Sequence, residues 1–410
     1  MAYTKKQGLS GKKLVEETHD LFDKYSSKRD SWAQDAKEDK EFRLGKQWTT
    51  EQKEILESRG QAAVVVNRIH PAVESAKAML TSNRPSFRCA PREDSDNKIA
   101  NVMSAMLTYM YDISNGRDAI RQAVDDYYVM GLGYLQVYQN PMMDMGKGEV
   151  CFHDIDPLDV YVDPNSRHRL FDDAENIIVS RLFTKEQAKE MYPMYDKAIE
   201  NAASSGNKID WNMPGTNRED DGQVQFPEDV GRLDNQDYVR GYERYYKVIV
   251  DEYRTYQTFD GKEEILSEEQ YQEYGNRPAF IIQGRIFTDE SQAQAFLQQL
   301  IQQQQQVMMQ QKQEMMAMGY GENVQPPPQE EIPRESTTFE DLIKRKFIEV
   351  VKIQTKKIKQ CVIIGDKHLY SRIMPIENYP IVPVMNVHTR TPYPMSDVRL
   401  VKGMQEFINK

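Results

Sequence analysis

The pattern of apolar and polar positions along the chain predicts a series of amphipathic helices interrupted by hairpins. Over residues 10–43, Leu14, Thr18, Leu21, Tyr25, Trp32 and Ala36 recur at three- and four-residue steps, which predicts one long helix with charge on its other face. Gly45 is placed to terminate it, and Thr49 with Gln52 three residues on predicts a capping box for a second, short helix. Trp48 is expected to pack at that corner. Residues 64–66 read as a short strand or extended segment before a helix with Pro71 in its first turn, closed at Asn83, Arg84 and Pro85 by capping and turn chemistry. Residues 94–114 are strongly periodic, with Ile99, Val102, Met103, Met106, Leu107, Met110 and Ile113 on one face and Asn115-Gly116 as the stop. Methionine fills gaps among branched aliphatics, so this stripe is expected to be core rather than a partner groove.

Residues 127–166 are the stretch around which the rest is organised. Helical spacing continues to Met130; Gly131 and Gly133 are expected to supply the positive φ angles that end the helix. Leu135 and Val137 then alternate with Tyr134, Gln136 and Tyr138, and a long turn containing Asn140, Pro141, Gly146 and Gly148 leads to a second strand over residues 149–155, which predicts a β-hairpin. Pro157 and Pro164 force the residues before them out of the helical region, so the acidic loop carrying Asp154, Asp156, Asp159 and Asp163 should be ordered and extended. A short helix follows, with Thr184 as N-cap, Gln187 closing a capping box and Pro193 breaking it.

Residues 201–232 are polar and rich in Gly, Asn and Asp, and read as a flexible loop. Strand character returns over residues 238–258. Residues 289–318 carry Phe296, Leu297, Leu300, Ile301, Val307 and Met308 through a glutamine-rich background; disorder is one reading of such a tract, but the stripe fits a long helix that pairs with a neighbouring copy better. Pro326–Pro328 follow. Residues 338–350 are a helix or strand, and residues 352–370 a hairpin turned at Gly365-Asp366. Lys344, Arg345, Lys346, Lys352, Lys356, Lys357 and Lys359 concentrate positive charge there against Glu349. They form either a solvated strand face or a surface toward DNA or an acidic partner, which repetition around a ring would turn into a belt of positive field.

Composition narrows these readings. At 410 residues the chain has room for two or three domains, and 39 % hydrophobic residues with a mean hydropathy of −0.74 suit an extended shape or helices that bury surface against copies of themselves, of which an oligomer is favoured. There is no run of about 18 apolar residues and no apolar core near the N-terminus, so neither a membrane span nor a secretion signal is expected. Cys89, Cys151 and Cys361 are isolated and read as thiols rather than disulfide or metal ligands. With 53 basic against 64 acidic residues the net charge is −11, which opposes tight sequence-blind DNA binding through phosphate neutralisation.

Enzymatic signatures are sparse. No phosphate-binding loop occurs, and Gly131 and Gly133 lack the third glycine of a dinucleotide fingerprint. The six histidines, His19, His70, His153, His168, His368 and His388, show no paired spacing. The aspartate loop lacks the glycine and terminal glutamate of a calcium loop, so turn capping is its expected role, and Asp260 with Lys262 suggests a metal-dependent nuclease only feebly. No catalytic residue, metal site or cofactor is therefore expected; the alternative is a metal-dependent nucleic-acid-processing enzyme using Asp154, Asp156, Asp159 and Asp163.

The sequence of helix, glycine turn, hairpin and a loop bearing Ile155, Pro157, Asp159, Val160, Asp163, Pro164 and Ser166 resembles the portal proteins of short-tailed phages, the head-tail connector rings through which a terminase motor packages DNA. The resemblance extends to Phe42, Gly45, Gln47 and Trp48 followed by Arg59-Gly60, to Asn67, Ile69, Val73, Asn83, Arg84 and Pro85, to Phe183, Thr184, Gln187, Tyr192 and Pro193, and to Pro380–Pro383 followed by Ser396, Val398, Arg399, Gln405 and Asn409. It implies an α+β, ring-forming fold: a helix-rich wing with a central hairpin over residues 1–183, a first stem-like helix and polar loop over 184–234, a β-containing clip over 235–385 with a glutamine-rich helical insertion at 289–318, and the start of a second stem-like helix over 386–410. Members of that family continue through a tunnel loop, the rest of the wing and a crown, so the resemblance implies either a piece of such a chain or a relative lacking those parts. It further implies a non-enzymatic homo-oligomer, a dodecamer, at one capsid vertex of the virion after assembly in the host cytoplasm. Its implied partners are double-stranded DNA in the channel, the terminase large subunit, the head-tail adaptor, and the major capsid and scaffolding proteins, with no membrane.

Overall fold

A computed structural model describes residues 11–93, 96–202, 238–317 and 334–410, with the side chains of 311–317 excepted. The chain divides into two compact units, Met1–Val248 with Lys357–Lys410, and Ile249–Lys356. Helices and strands are mixed throughout, so the fold is α+β.

The first unit begins with helices α1 (Gly11–Arg43), α2 (Thr50–Ser58), α3 (Ile69–Leu80), α4 (Asn97–Ile113) and α5 (Gly116–Val129). The capping box at Thr49 and Gln52 is present, whereas residues 64–66 are extended without strand pairing. Strands β1 (Leu132–Asn140) and β2 (Glu149–Ile155) form the expected hairpin, followed by β3 (Val160–Val162) and β4 (Asn176–Thr184). Helices α6 (Lys185–Met191) and α7 (Asp196–Glu200) come next. The capping box at Thr184 and Gln187 holds, but residues 184–200 are not one continuous helix: Pro193 has no amide hydrogen to donate and separates two short pieces. The polar segment over residues 203–232 and Pro326–Pro328 lie outside the described residues.

Strand β5 (Tyr238–Gln257) carries the chain into the second unit, which holds β6 (Glu263–Ser267), α8 (Glu268–Tyr274), β7 (Pro278–Ile282), β8 (Arg285–Phe287), α9 (Glu290–Ala317), β9 (Arg334–Thr338) and α10 (Phe339–Lys344). Strand β10 (Ile348–Ile364) returns it to the first unit, where β11 (Lys367–Met374), β12 (Ile381–Met385) and α11 (Asp397–Asn409) complete the described chain. The region over residues 235–385 is thus divided, with Lys357 onward packing in the first unit.

In the first unit, β12, β1 and β2 form one antiparallel sheet, with Tyr134 opposite both Pro383 and Ile155. A second sheet runs β11-β10-β5-β4-β3, and β4 pairs with β5 from Asn176 opposite Tyr246 to Thr184 opposite Tyr238. Burial on both faces accounts for the consecutive Ile177, Ile178 and Val179 in the first half of β4. Ile177 and Val179 join the main core with Trp32, Phe42, Val129, Leu132, Tyr134 and Phe171, while Ile178 meets Phe22, Tyr25 and Tyr161 beneath α1.

Two glycines at the α5–β1 junction permit close backbone approach, Gly131 to Met395 and Gly133 to Ala123 of α5. Gly131 has φ 81°, as expected, and a Cβ there would sit 2.7 Å from the backbone of Met395. Gly133 has no positive φ; a Cβ there would lie 2.2 Å from the carbonyl oxygen of Ala123, so its role is close approach rather than helix termination.

The expectation for α4 is corrected. Among its residues only Ala100 and Tyr111 are buried, while Ile99, Val102, Met103 and Met106 are about half exposed or more. Periodicity groups these side chains on one face; Leu107, Met110 and Ile113 on it are half-buried, but nothing among the described residues covers Ile99, Val102, Met103 and Met106.

In the second unit β6 pairs with the outer part of β5, from Glu252 opposite Ser267 to Tyr256 opposite Glu263, and Tyr253 stacks on Tyr271 at 4.1 Å. A capping box formed by Ser267 and Gln270 starts α8. Strands β8, β7 and β9 make a small antiparallel sheet, and Leu266, Tyr274, Ala279, Phe339, Leu342 and Ile348 form the core. The glutamine-rich tract is helical, as its stripe predicts: the N-terminal part of α9 packs on this sheet through Ala293, Phe296, Leu297 and Leu300.

Two buried guanidinium groups fasten α1 in the first unit. Arg29 Nη1 donates to the carbonyls of Leu158 and Val160, both at 2.8 Å, and its guanidinium lies 3.8 Å from the Tyr161 ring centre. Arg244 on β5 donates to Asn176 Oδ1 at 2.8 Å and Thr18 Oγ1 at 3.3 Å, and pairs with Glu17 at 3.0 Å. Replacing Arg29 with methionine would leave two buried carbonyls unpaired at about 1–3 kcal/mol each. Arg29→Met is therefore expected to lower unfolding free energy by about 2–5 kcal/mol in urea titration; an unchanged midpoint would show that the loop does not depend on this anchor.

Candidate functional site

The residues that stand far apart in the sequence motifs converge at one place in the first unit. Beyond α1 the chain turns through Gly45, and Gln47 reaches back to donate to the Phe42 carbonyl at 3.1 Å. Gln47 Oε1 in turn accepts from Asn409 Nδ2 at 2.5 Å. Asn409 Oδ1 accepts from the Val66 amide at 3.0 Å, while Gln405 Nε2 donates to the Val66 carbonyl at 2.8 Å and Gln405 Oε1 accepts from the Arg68 amide at 3.0 Å. Residues 64–68 have no strand partner, so the side-chain amides of Gln405 and Asn409 serve their peptide groups instead. Trp48 Nε1 donates to the Val64 carbonyl at 3.0 Å, and Asn67 Nδ2 to the Arg43 carbonyl at 2.7 Å. Phe42 is buried in the main core.

The first turn of α11 is fastened separately. Ser396 caps it by accepting from the Arg399 amide, and its hydroxyl donates to Asp39 Oδ2 at 2.6 Å. Arg399 pairs with Asp39 at 2.9 Å and Glu38 at 2.9 Å. Helix α11 thus presents polar groups inward, while Leu400, Val401, Met404, Phe407 and Ile408 remain exposed. Asp39 and Arg29 were not singled out from the sequence, although a signal existed: both stand at positions where the apolar period of α1 requires a buried residue.

Asn83 and Pro85 are exposed and lie outside this clasp. Arg84 does more than close a turn, since it pairs with Asp112 at the end of α4 at 2.7 Å.

The aspartate loop is occupied with turn chemistry. Asp156 accepts from the Leu158 amide at 2.8 Å beside the buried Pro157; Asp163 accepts from the Asn165 amide at 3.0 Å and the Glu175 amide at 3.3 Å, flanking Pro164. Asp159 lies 3.9 Å from Arg181. Among the described residues no group of three or more His, Cys, Asp or Glu is placed to hold a metal ion. Burial, reinforced by Asp156, pushes the Asp159 carboxyl up to about 6. On α5 burial, with Asp156 next, pushes Asp126 up to about 8; Lys40 opposes this, while Asp125 and Asp154 add to it. The neighbouring Asp125 behaves oppositely. Although burial disfavours its charge, bonds from Arg43 at 2.5 Å and Lys77 at 2.7 Å hold it below the usual carboxylate range.

The basic residues of 344–359 are distributed over several elements. Lys344 ends α10, where it pairs with Glu340 at 2.9 Å, and Lys346 occupies the following turn at φ 63°. Lys352 pairs with Asp251 at 3.0 Å, and Arg345 with Glu335. Lys352, Lys356, Lys357 and Lys359 lie on β10; residues up to Lys356 belong to the second unit and those from Lys357 to the first.

A family model described as phage P22-like portal protein matches residues 19–410, a span that includes every element of the clasp. A search of curated proteins found no match.

Two outcomes are expected from this geometry. Gln405→Ala would remove the hydrogen bonds to the Val66 carbonyl and the Arg68 amide, and at about 0.5–1.5 kcal/mol each should cost about 1–3 kcal/mol while speeding proteolysis between residues 59 and 68; an unchanged cleavage rate would show that the clasp does not order that segment. Asp126 and Asp159 both have folded pKa values above their unfolded ones, so the stability they contribute is complete below about pH 4 and is lost as pH rises through about 6 to 8. Asp126→Asn should therefore flatten the stability profile over pH 5–8 and leave the variant about 1–3 kcal/mol more stable than the parent at pH 8. Parallel profiles in chemical denaturation would refute this.

Proposed function

Since this chain belongs to the phage P22-like portal protein family, we propose that its copies close into a ring, a dodecamer, at a single capsid vertex. The activity of such a protein is structural: it forms the channel for DNA packaging and ejection and the attachment point for tail components. The family match across residues 19–410 carries this reading, and no feature of the acidic loop favours a nuclease. No helix among the described residues is long and apolar enough to cross a membrane.

Two exposed faces support assembly from identical copies. The stripe of Ile99, Val102, Met103 and Met106 on α4 and the outward face of α11 are apolar, and surfaces of this kind on folded chains mark protein contacts. The net charge of −11 agrees with DNA that passes through rather than adheres.

The residues over 1–183 would form the wing, α6 and α7 would correspond to the first stem-like segment, the region over 235–385 would supply the clip, and α11 would begin the second stem-like helix. The clip would dock the head-tail adaptor, with the terminase large subunit on the same side during packaging in the host cytoplasm. The wing would contact the major capsid and scaffolding proteins. Lys344, Lys346, Lys352, Lys356, Lys357 and Lys359 are proposed as residues toward the adaptor or DNA. Their division among α10, the turn after it and β10, and between the two units, supports separate local contacts more than a single positive belt.

Negative-stain electron microscopy with mass photometry tests the ring directly. Particles with a central hole and about twelve subunits are expected, whereas a chain that stays monomeric at every concentration would overturn the proposal. Met106→Glu, placed on the exposed stripe, should change the stability of the isolated subunit by less than about 0.5 kcal/mol and reduce ring yield; an unchanged yield would remove α4 from the subunit contact.

A further inference from the structure

Helix α9 has two halves with different surroundings. Its N-terminal half lies on the sheet of β7 and β8 through Ala293, Phe296, Leu297 and Leu300. The same side of the helix continues beyond this packed cluster with Ile301, Val307 and Met308, which by helical spacing fall on one arc with Leu297 and Leu300. There Ile301 is 37 % exposed and Val307 51 %.

The chemistry of this half is unusual for an exposed helix. From Ser291 to Gln311 there is no charged residue, in a chain of which 29 % is charged. DNA is excluded as the occupant, because the segment offers no cation to a phosphate, and a partner recognised by charge is excluded for the same reason. An identical helix fits. Copies of a helix whose contact face carries charge of one sign repel one another, and this segment carries none. A glutamine side chain carries both a donor and an acceptor and therefore complements another glutamine, and apolar residues at three- and four-residue spacing are what a helix needs to seat against its own copy.

We propose that residues 301–310 of α9 form a contact between copies of this chain, in which the uncharged apolar and glutamine face of one α9 packs against that of a neighbour. The inference rests on the ring reading and adds to it a contact made by an element of the second unit.

Charge substitution on this face tests it. In the 410-residue chain, Val307→Glu and Val307→Lys would each place one like charge per copy in the contact. Each alone is expected to raise the subunit concentration needed for half assembly by about tenfold or more, and an equimolar mixture of the two should assemble nearly as well as the parent. Circular dichroism of each variant should match the parent, since Val307 is exposed. Rings formed equally well by the parent and both variants would overturn this contact and leave the ring standing. Weakened assembly that mixing does not restore would also overturn it, assigning the residue to a different surface of the neighbour. A parent chain that never assembles would overturn both readings.

Discussion

The first unit depends on a backbone that cannot satisfy itself. Pro157 and Pro164 hold the loop between β2 and β4 in extended and turn conformations, and the carbonyls of Leu158 and Val160 point into a region closed to water. Arg29 meets them with a buried guanidinium. Nη1 alone serves both carbonyls, while the planar guanidinium lies against the Tyr161 ring, a stacking that a compact lysine ammonium would not reproduce. Arg244 anchors the same helix two turns and more away, through Thr18 and Glu17, and reaches Asn176 on β4 as well. Helix α1 is consequently positioned by hydrogen bonds of fixed geometry as well as by the apolar residues around them.

The same reliance on directed polar contacts governs α11. Ser396, Arg399, Gln405 and Asn409 point toward α1 and the extended segment after α2, and among its residues only Val398 and Gln405 are buried. A helix docked in this way keeps its orientation while leaving its apolar face for another surface. In a portal protein that division is useful, because a subunit must fold before its neighbours arrive and still offer them something to bind.

Much of this was legible in the sequence. The length of α1, the capping boxes at Thr49 and Thr184, the β1–β2 hairpin and the helical state of the glutamine tract follow from periodicity and turn chemistry, and the motif residues Gln47, Gln405 and Asn409 do meet. What could not be read was environment. Periodicity places Met103 and Met106 on one face of α4 without saying whether anything covers them, and composition groups the lysines of 344–359 without revealing that they divide among α10, a turn and β10 or that Glu340 and Asp251 pair with two of them. The role of Gly133 is set by Ala123, ten residues earlier, through a close approach that exists only in three dimensions. Arg29 and Asp39 announced themselves only as charged residues in an apolar stripe.

The chain enters the second unit along β5 and leaves it along β10, two strands that neighbour each other in one sheet. Topologically the whole of Ile249–Lys356 is therefore an overgrown hairpin loop. Its entry and exit points stay fixed whatever lies between them, so this part of the gene can lengthen, shrink or be exchanged without altering the connectivity of the first unit. A lineage could thus revise what its second unit binds while inheriting the first unchanged.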